Sequence, residues 1–117
     1  MHFLSICAIA KNETPYLHEW IRHHVLAGVE HFFIYDNESK IPIKKVLANW
    51  VEQGIVTVED FPGDCRQLPA YQHCLDQYGG TSHWIGFIDL DEFFFPMQHT
   101  DLRELLLEYE NAGGLAV

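Results

Sequence analysis

The segment that decides the fold is Phe3-Leu4-Ser5-Ile6-Cys7-Ala8-Ile9-Ala10, an apolar run of strand length that leads directly into Lys11-Asn12-Glu13. A continuous run of this kind is typical of a strand covered on both faces, because a strand with one face in water alternates apolar and polar residues. The polar cluster predicts the point at which the strand ends. We therefore expect a first strand that belongs to the core.

Strand and helix patterns alternate along the rest of the chain. Thr14-Pro15 is typical of a helix start, and Gly28 is placed to end that helix. Further strands are predicted at residues 31–35, 55–58 and 84–88, further helices at residues 43–51, 69–78 and 100–109, and the start of another strand at residue 115. This order predicts an α/β fold with a doubly wound, mostly parallel sheet.

Two of these helices have apolar faces that predict how they pack. One continuous helix is marked by Ile43, Val46, Leu47, Trp50 and Val51. The next carries Pro69 in its first turn, where proline is tolerated, and one apolar face made of Tyr71, Cys74, Leu75 and Tyr78.

Composition and charge limit the classes of function. The 117 residues, 48% of them hydrophobic and 21% charged, predict one globular domain over residues 1–117. Seventeen acidic residues against seven basic ones give a net charge of -10, which disfavours nucleic acid and anionic membrane surfaces as partners. A phosphorylated ligand would need a local counter-charge, and a divalent cation is the obvious one.

The cysteines and the N-terminal segment indicate the cellular compartment of the protein. Cys7, Cys65 and Cys74 show no Cys-x-x-Cys spacing, which favours buried thiols in a reducing compartment over a disulfide scaffold or a zinc ribbon. The apolar N-terminal segment is too short for a membrane span and lacks a basic leader. We expect a cytoplasmic protein without a transmembrane segment in this chain, any membrane association arising from parts outside it.

An acidic segment follows the fourth predicted strand. In Asp89-Leu90-Asp91-Glu92, the first and third side chains project to the same side if the segment is extended. Two convergent carboxylates make a hard oxygen site suited to Mn²⁺ or Mg²⁺. A solvated acidic turn is the alternative, and the position after a buried strand makes the two interpretations comparable.

Two other polar clusters are expected at the same edge of the sheet, because the carboxyl ends of parallel strands meet there. Asp36-Asn37 follows the second strand, where an acid can accept hydrogen bonds from a ribose or a base. Taken alone, this pair favours an ordinary Asx turn. Lys11-Asn12-Glu13 has a similar alternative, a polar loop that caps the first helix.

Other chemistries are less consistent with the sequence. A phosphatase of the haloacid-dehalogenase type also has Asp-x-Asp after a strand, but early in the chain and with Thr or Val where Phe93 stands. A non-catalytic, receiver-like module that binds nucleotide or a divalent metal needs an acid pair after the first strand, where only Glu13 is available. His23-His24 lacks a partner at metal-ligand spacing, so surface and core-edge roles are expected.

The linked pattern of motifs resembles the opening of glycosyltransferase family 92-like and related family 2-like proteins. The residues that carry the resemblance are Lys11-Asn12-Glu13, Tyr16-Leu17, Glu19-Trp20-Ile21, His24, Gly28, Phe33-Ile34-Tyr35-Asp36-Asn37, Ser39, Gln67, Ala70-Tyr71, Cys74-Leu75, Trp84, Phe87-Ile88-Asp89, Asp91-Glu92-Phe93 and Pro96. The set spans nearly the whole chain and is far more specific than any one motif.

This resemblance implies a GT-A fold with a Rossmann-like half that binds a nucleotide sugar, expected to be a UDP-sugar, and a glycan or other hydroxyl as acceptor. It implies Mn²⁺ or Mg²⁺ at Asp89 and Asp91, with Asp91 a direct ligand and Asp89 contacting the ribose or, through water, the metal. The other donor-binding residues that it implies are Asp36 near the base, Lys11 and Glu13 near the nucleotide, and Gln67 beside the uridine or the sugar.

Two departures from the family pattern limit these expectations. Lys40 or Ile41 stands where relatives often carry an acid, which leaves the contacts of that loop open. The acceptor site and the usual catalytic base of the fold are expected beyond Val117, so we expect residues 1–117 alone to be inactive as a transferase.

Overall fold

Strands and helices alternate along the described part of the chain. In a computed structural model of the protein, residues 2–12, 14–64 and 66–88 are described, the side chains of residues 14–16 excepted. The elements in chain order are β1 (His2–Ala10), α1 (Thr14–Leu26), β2 (His31–Asp36), α2 (Ile43–Val46), α3 (Ala48–Glu52), β3 (Val56–Asp60), α4 (Gln67–Tyr78), a 3₁₀ turn (Gly79–Thr81) and β4 (Ser82–Phe87). The helix predicted at residues 100–109 and the strand predicted from residue 115 lie outside the described residues.

The four strands form one sheet in the order β3-β2-β1-β4. All three neighbouring pairs are parallel, and β1 lies between β2 and β4. The predicted parallel sheet is therefore confirmed, with the apolar first strand in a central position.

Successive side chains of β1 point to opposite faces of the sheet, as strand geometry requires. On one face Leu4 and Ile6 belong to the same buried cluster as Trp20 of α1. On the other face Cys7 belongs to a second cluster with Cys74 of α4. Helices cover both faces, which confirms the doubly wound α/β architecture.

Gly28 ends α1 as predicted. Its φ of 108° is unfavourable for residues with a Cβ. The backbone nitrogen of Gly28 donates to the carbonyl of Val25 at 3.1 Å, and that of Val29 donates to the carbonyl of His24 at 2.9 Å. This pair of bonds is the Schellman arrangement, which satisfies the last helical carbonyls.

The prediction of a single helix at residues 43–51 is wrong. Leu47 leaves the helical conformation, with φ −100° and ψ 20°, and separates α2 from α3. Its side chain is fully buried. Tertiary packing at this position therefore overrides the helical periodicity of the sequence.

The apolar face predicted for α4 is only partly correct. Pro69 lies in the first turn, as expected, and Ala70 and Cys74 are buried against the sheet. Leu75, however, is 47% exposed, and Leu68 is more exposed still. Both tyrosines of the predicted face pack, partly buried, against the same cluster, so Leu75 is the residue of that face that the structure leaves exposed.

Two of the cysteines behave as the sequence predicts. Cys7 and Cys74 are free, buried thiols. The hydrogen bond with Cys74, together with burial, raises the pKa of Cys7, so this thiol is neutral at physiological pH. Cys65 lies outside the described residues.

His24 is a core residue, and the expected surface or core-edge role is wrong for it. Its ring is fully buried, 4.7 Å from the ring of Trp20 and 6.4 Å from that of Phe32, centroid to centroid. His24 Nδ1 lies 2.9 Å from the carbonyl oxygen of Trp20, which can only accept, so this nitrogen carries the proton. Burial lowers the pKa of His24 from 6.5 to about 4, against a smaller opposing effect of that hydrogen bond.

This shift predicts a loss of stability in mild acid. In the unfolded chain His24 becomes protonated below pH 6.5. In the native protein it stays neutral until the pH approaches 4. Stability contributed by His24 is therefore present above pH 6.5 and falls by about 3 kcal/mol as the pH approaches 4. Urea unfolding at several pH values measures this dependence.

His24→Gln, which cannot titrate, should remove most of this contribution to the pH dependence. His83→Gln is the matched control, because His83 is exposed on β4. An unchanged slope of stability against pH in His24→Gln contradicts the assignment.

Candidate functional site

The strand register brings the polar residues after β1, β2 and β3 to one edge of the sheet. Ala10 pairs with Asp36, and Asp36 pairs with Asp60, so the three strands end level with one another. Lys11 and Asn37 follow directly after two of these strands. The prediction of a shared carboxyl edge is confirmed for Lys11-Asn12 and Asp36-Asn37, while Glu13 and the acidic segment 89–92 lie outside the described residues.

Asp36 is almost fully buried, with 5% of its surface exposed, and both of its carboxylate oxygens accept backbone hydrogen bonds. Oδ1 accepts from the nitrogen of Ser39 and Oδ2 from that of Ile43, each at 3.0 Å. The first bond closes the loop after β2, and the second satisfies a free N–H at the start of α2. Asp36 therefore has the structural role that the alternative interpretation predicted, although it bonds the third and seventh residues on and not the second, as in an Asx turn. The predicted contact with a base remains a prediction.

The loops after β1 and β2 are joined by side chains. The nitrogen of Asn12 donates to Ser39 Oγ at 3.0 Å, and the nitrogen of Lys40 donates to Asn12 Oδ1 at 2.8 Å. Asn12 has a φ of 56°, a left-handed conformation that asparagine tolerates better than most residues. Lys40 thus contributes its backbone to the structure of this edge.

The loops after β2 and β3 are joined in the same way. Asn37 Nδ2 donates to the carbonyl oxygens of Phe61 and Gly63, both at 2.9 Å. The nitrogen of Gly63 donates in return to Glu38 Oε2 at 3.0 Å. Together with the bonds of Asn12, these contacts tie three consecutive loops into one network at the carboxyl edge.

An open cleft of about 280 Å³ lies within this network, lined by Asp36, Glu38, Ser39, Pro42, Asp60 and Pro62. Its volume is near the lower end of the roughly 300–1,000 Å³ typical of ligand pockets, so it suits one part of a larger ligand. Three of its lining residues are acidic. Such a wall favours hydrogen-bond donors, such as hydroxyl or base N–H groups, and disfavours a direct contact with phosphate.

Gln67 and Lys11 lie at other points of the edge. Gln67 is exposed on the first turn of α4, and its Nε2 donates to Tyr71 Oη at 3.1 Å. The Tyr71 ring in turn packs on that of Phe87 near the end of β4, with centroids 4.8 Å apart. Gln67 is therefore linked to the end of β4, whereas Lys11 is exposed at the end of β1.

The remaining predicted site residues lie outside the described residues. These are Glu13, Asp89 and Asp91. Within residues 2–12, 14–64 and 66–88, no group of three or more His, Cys, Asp or Glu side chains is arranged to hold a metal ion. The predicted metal site therefore stays a prediction.

Two residues at this edge, Asp60 and Arg66, were not predicted from the sequence. Asp60 ends β3 as Asp36 ends β2, but the β-branched pattern stops at Val58 and gave no reason to extend the strand by two residues. Strand-end position was the signal that could have identified it. Arg66 lies just before α4, with its guanidinium carbon 4.2 Å from the centroid of the Phe61 ring.

The strand order, the level strand ends and the polar edge agree with the predicted family, and comparison of the chain with known proteins decides the question. The family model described as Glycosyltransferase family 92 matches residues 2–113. The chain belongs to glycosyltransferase family 92. Membership of this family supports a transferase and not the phosphatase alternative.

The curated relatives lead to the same assignment. A glycosyltransferase family 92 protein from Ricinus communis is 32% identical over 96% of this chain and 20% of its own length. Another from Oryza sativa subsp. japonica is 35% identical over 92% of this chain and 19% of its own length. A galactan β-1,4-galactosyltransferase from Arabidopsis thaliana is 28% identical over 80% of this chain and 20% of its own length. The family 92 chain thus spans about a fifth of the length of these relatives.

The comparisons leave the location of the protein open. Among the described residues, no helix has both the length and the apolar character that crossing a bilayer requires. The cytoplasmic location stays a prediction.

The contacts of Asp36 predict a structural role that is separable from ligand binding. Asp36→Ala removes the acceptor of two backbone N–H groups, one of them buried, and should lower the free energy of unfolding by about 2 kcal/mol. Asp60→Ala is the matched control, because Asp60 lines the same cleft but is exposed, and should change stability by less than about 0.5 kcal/mol. Urea unfolding at pH 7 compares the two, and equal effects would show that Asp36 does not hold its loop.

Proposed function

We propose that this chain is the donor-binding portion of a metal-dependent glycosyltransferase that takes a UDP-sugar and transfers the sugar to a hydroxyl group of a glycan or similar acceptor. The observation that carries the proposal is the strand order β3-β2-β1-β4 in a family 92 chain. In open parallel sheets, ligands bind at the carboxyl edge where successive crossovers run in opposite directions. Here that point lies between β1 and β4.

The strands on either side of this point, β1 and β4, are followed in sequence by residues to which the proposal assigns contacts with the donor. Ile88, the last described residue, donates its backbone N–H to the carbonyl of Cys7 at 3.4 Å, so the chain is still beside β1 when β4 has ended. The acidic segment 89–92 follows in sequence. Lys11 follows β1, and its ammonium group is suited to the phosphates of the donor.

The cleft between the ends of β2 and β3 supports a role in recognising the nucleoside. Its carboxylates offer hydrogen-bond acceptors to ribose hydroxyl groups and to base N–H groups. Asp36 already accepts two backbone bonds, but each carboxylate oxygen has a second lone pair. We assign the uridine to this cleft, and the sugar to the region of Gln67.

A cation is required by the charge of both partners. The protein has a formal charge of -10, and the diphosphate of the donor is also anionic. Asp89 and Asp91 are hard oxygen donors of the kind that Mn²⁺ and Mg²⁺ prefer. When bound, the ion would supply Lewis-acid stabilisation of the charge on the diphosphate leaving group.

The name of one relative favours galactose as the transferred sugar. The relative from Arabidopsis thaliana is a galactan β-1,4-galactosyltransferase. We extend this to a galactosyl donor for the present chain. Because the chain spans about a fifth of that relative, we propose donor binding, and not complete transfer, for residues 1–117 taken alone.

Binding of UDP should depend on the metal and on Asp91. Isothermal titration of UDP should give a measurable Kd with Mn²⁺ or Mg²⁺ present and none with a chelator, because carboxylates and diphosphate repel each other without a cation. Asp91→Ala should abolish binding. Asp76→Ala is the control, since this exposed acid of α4 accepts a hydrogen bond from Gln72 of its own helix and its loss should leave the Kd unchanged. Binding of UDP without a metal would contradict the proposal.

Residues 1–117 should not catalyse transfer to an acceptor. With UDP-galactose, Mn²⁺ and a β-1,4-galactan oligosaccharide, we expect no product by mass spectrometry under conditions in which UDP binds. Galactosylated oligosaccharide formed by these residues alone would contradict the division between donor binding and transfer.

A further inference from the structure

The side chain of Arg66 packs on the Phe61 ring and passes close to Gly63. Its guanidinium carbon lies 4.2 Å from the centroid of the Phe61 ring, within the range of a cation–π contact. On another side lies Gly63, where a side chain would bring its Cβ to 3.1 Å from Arg66 Cδ. Gly63 also has a φ of 111°, a conformation that side chains rarely adopt. This close approach therefore depends on glycine.

The charge of Arg66 is only partly compensated. Its Nε is buried and has no hydrogen-bond partner within the described part of the chain. A guanidinium has five donors and no acceptor, and a buried donor without a partner is unfavourable because it has lost its water. The shielding of Nε also leaves the positive charge less screened, so an anion that reaches the terminal nitrogens is attracted more strongly than at an open surface.

The position of Arg66 indicates which ligand it meets. It belongs to the loop after β3, which Asn37 and Glu38 fasten to the carboxyl edge. It also directly precedes α4, a helix of 12 residues, whose N-terminal end adds positive potential. The cleft is lined by three carboxylates and by Pro62 of this same loop, so Arg66 brings a positive charge to a loop that borders an acidic cleft.

We propose that Arg66 binds a phosphate group of the nucleotide donor through its terminal guanidinium nitrogens. This inference rests on the proposed function and adds to it a second counter-charge supplied by the protein, besides Lys11 and the metal. The planar fork of arginine matches a phosphate better than a lysine ammonium does. The guanidinium carbon already packs on Phe61, and we assign the terminal nitrogens to the ligand. The acidic cleft then holds the nucleoside while Arg66 holds the phosphate.

Substitution of Arg66 should separate nucleotide from nucleoside binding. Arg66→Met keeps the apolar stem between Phe61 and Gly63 but removes the charge. In NMR titrations with the diamagnetic Mg²⁺, which read affinities into the millimolar range, it should weaken UDP binding about tenfold, equal to about 1.4 kcal/mol, and leave uridine binding unchanged. Arg66→Lys should lower the affinity for UDP by less than Arg66→Met does. Arg22→Met, at an exposed arginine of α1, should change neither affinity.

Two results would overturn the inference. One is an unchanged affinity of Arg66→Met for UDP. The other is an equal loss for UDP and uridine, which indicates that Arg66 only shapes the loop, and the unfolding midpoint of the variant checks this directly.

Failure of the proposed function gives a different result. If the protein binds no UDP with either metal, pyrophosphate is titrated instead. Binding of pyrophosphate that Arg66→Met weakens by about tenfold supports an anion site independent of the donor assignment. Absence of pyrophosphate binding in the unsubstituted protein would overturn the inference as well.

Discussion

The position of β1 between two parallel neighbours, with both faces buried, is the constraint on which the rest of the structure depends. Its register with β2 sets Ala10 level with Asp36, and its register with β4 sets Cys7 level with Phe87. Because β1, β2 and β3 end level with one another, the loops that follow these three strands meet at one edge. The hydrogen bonds of Asn12 and Asn37 then join those loops. A slip of one residue in β1 would turn Cys7 to the opposite face and separate all of these contacts.

Much of the fold could be predicted from the sequence because its signals are local. The apolar run of residues 3–10 predicted a core strand, and Gly28 predicted the end of α1, since only a residue without a Cβ adopts its φ easily. The carboxyl-edge position of Lys11 and Asp36 followed from the topology alone. The family was predicted from the order of several motifs taken together, because no single motif is specific enough to identify it.

The rest depends on contacts between residues that are distant in sequence. Burial of Leu47 divides a helix that its periodicity describes as continuous, and burial of His24 places a titratable ring in an apolar cluster. The two backbone bonds of Asp36 and the packing of Arg66 on Phe61 have no signature in the sequence, because they require the loops to be folded first. The candidate site was thus predictable in its location but not in the contacts that its residues make.

The network that joins the three loops has a consequence for the thermodynamics of ligand binding. Loops at binding edges are commonly ordered only when a ligand arrives, and the lost conformational entropy then reduces the affinity. Here the left-handed residues Asn12 and Glu38 are already held by hydrogen bonds across loops. The entropy of ordering this edge is lost during folding. A ligand that enters the cleft meets a preorganised surface, and most of its interaction energy is retained as affinity.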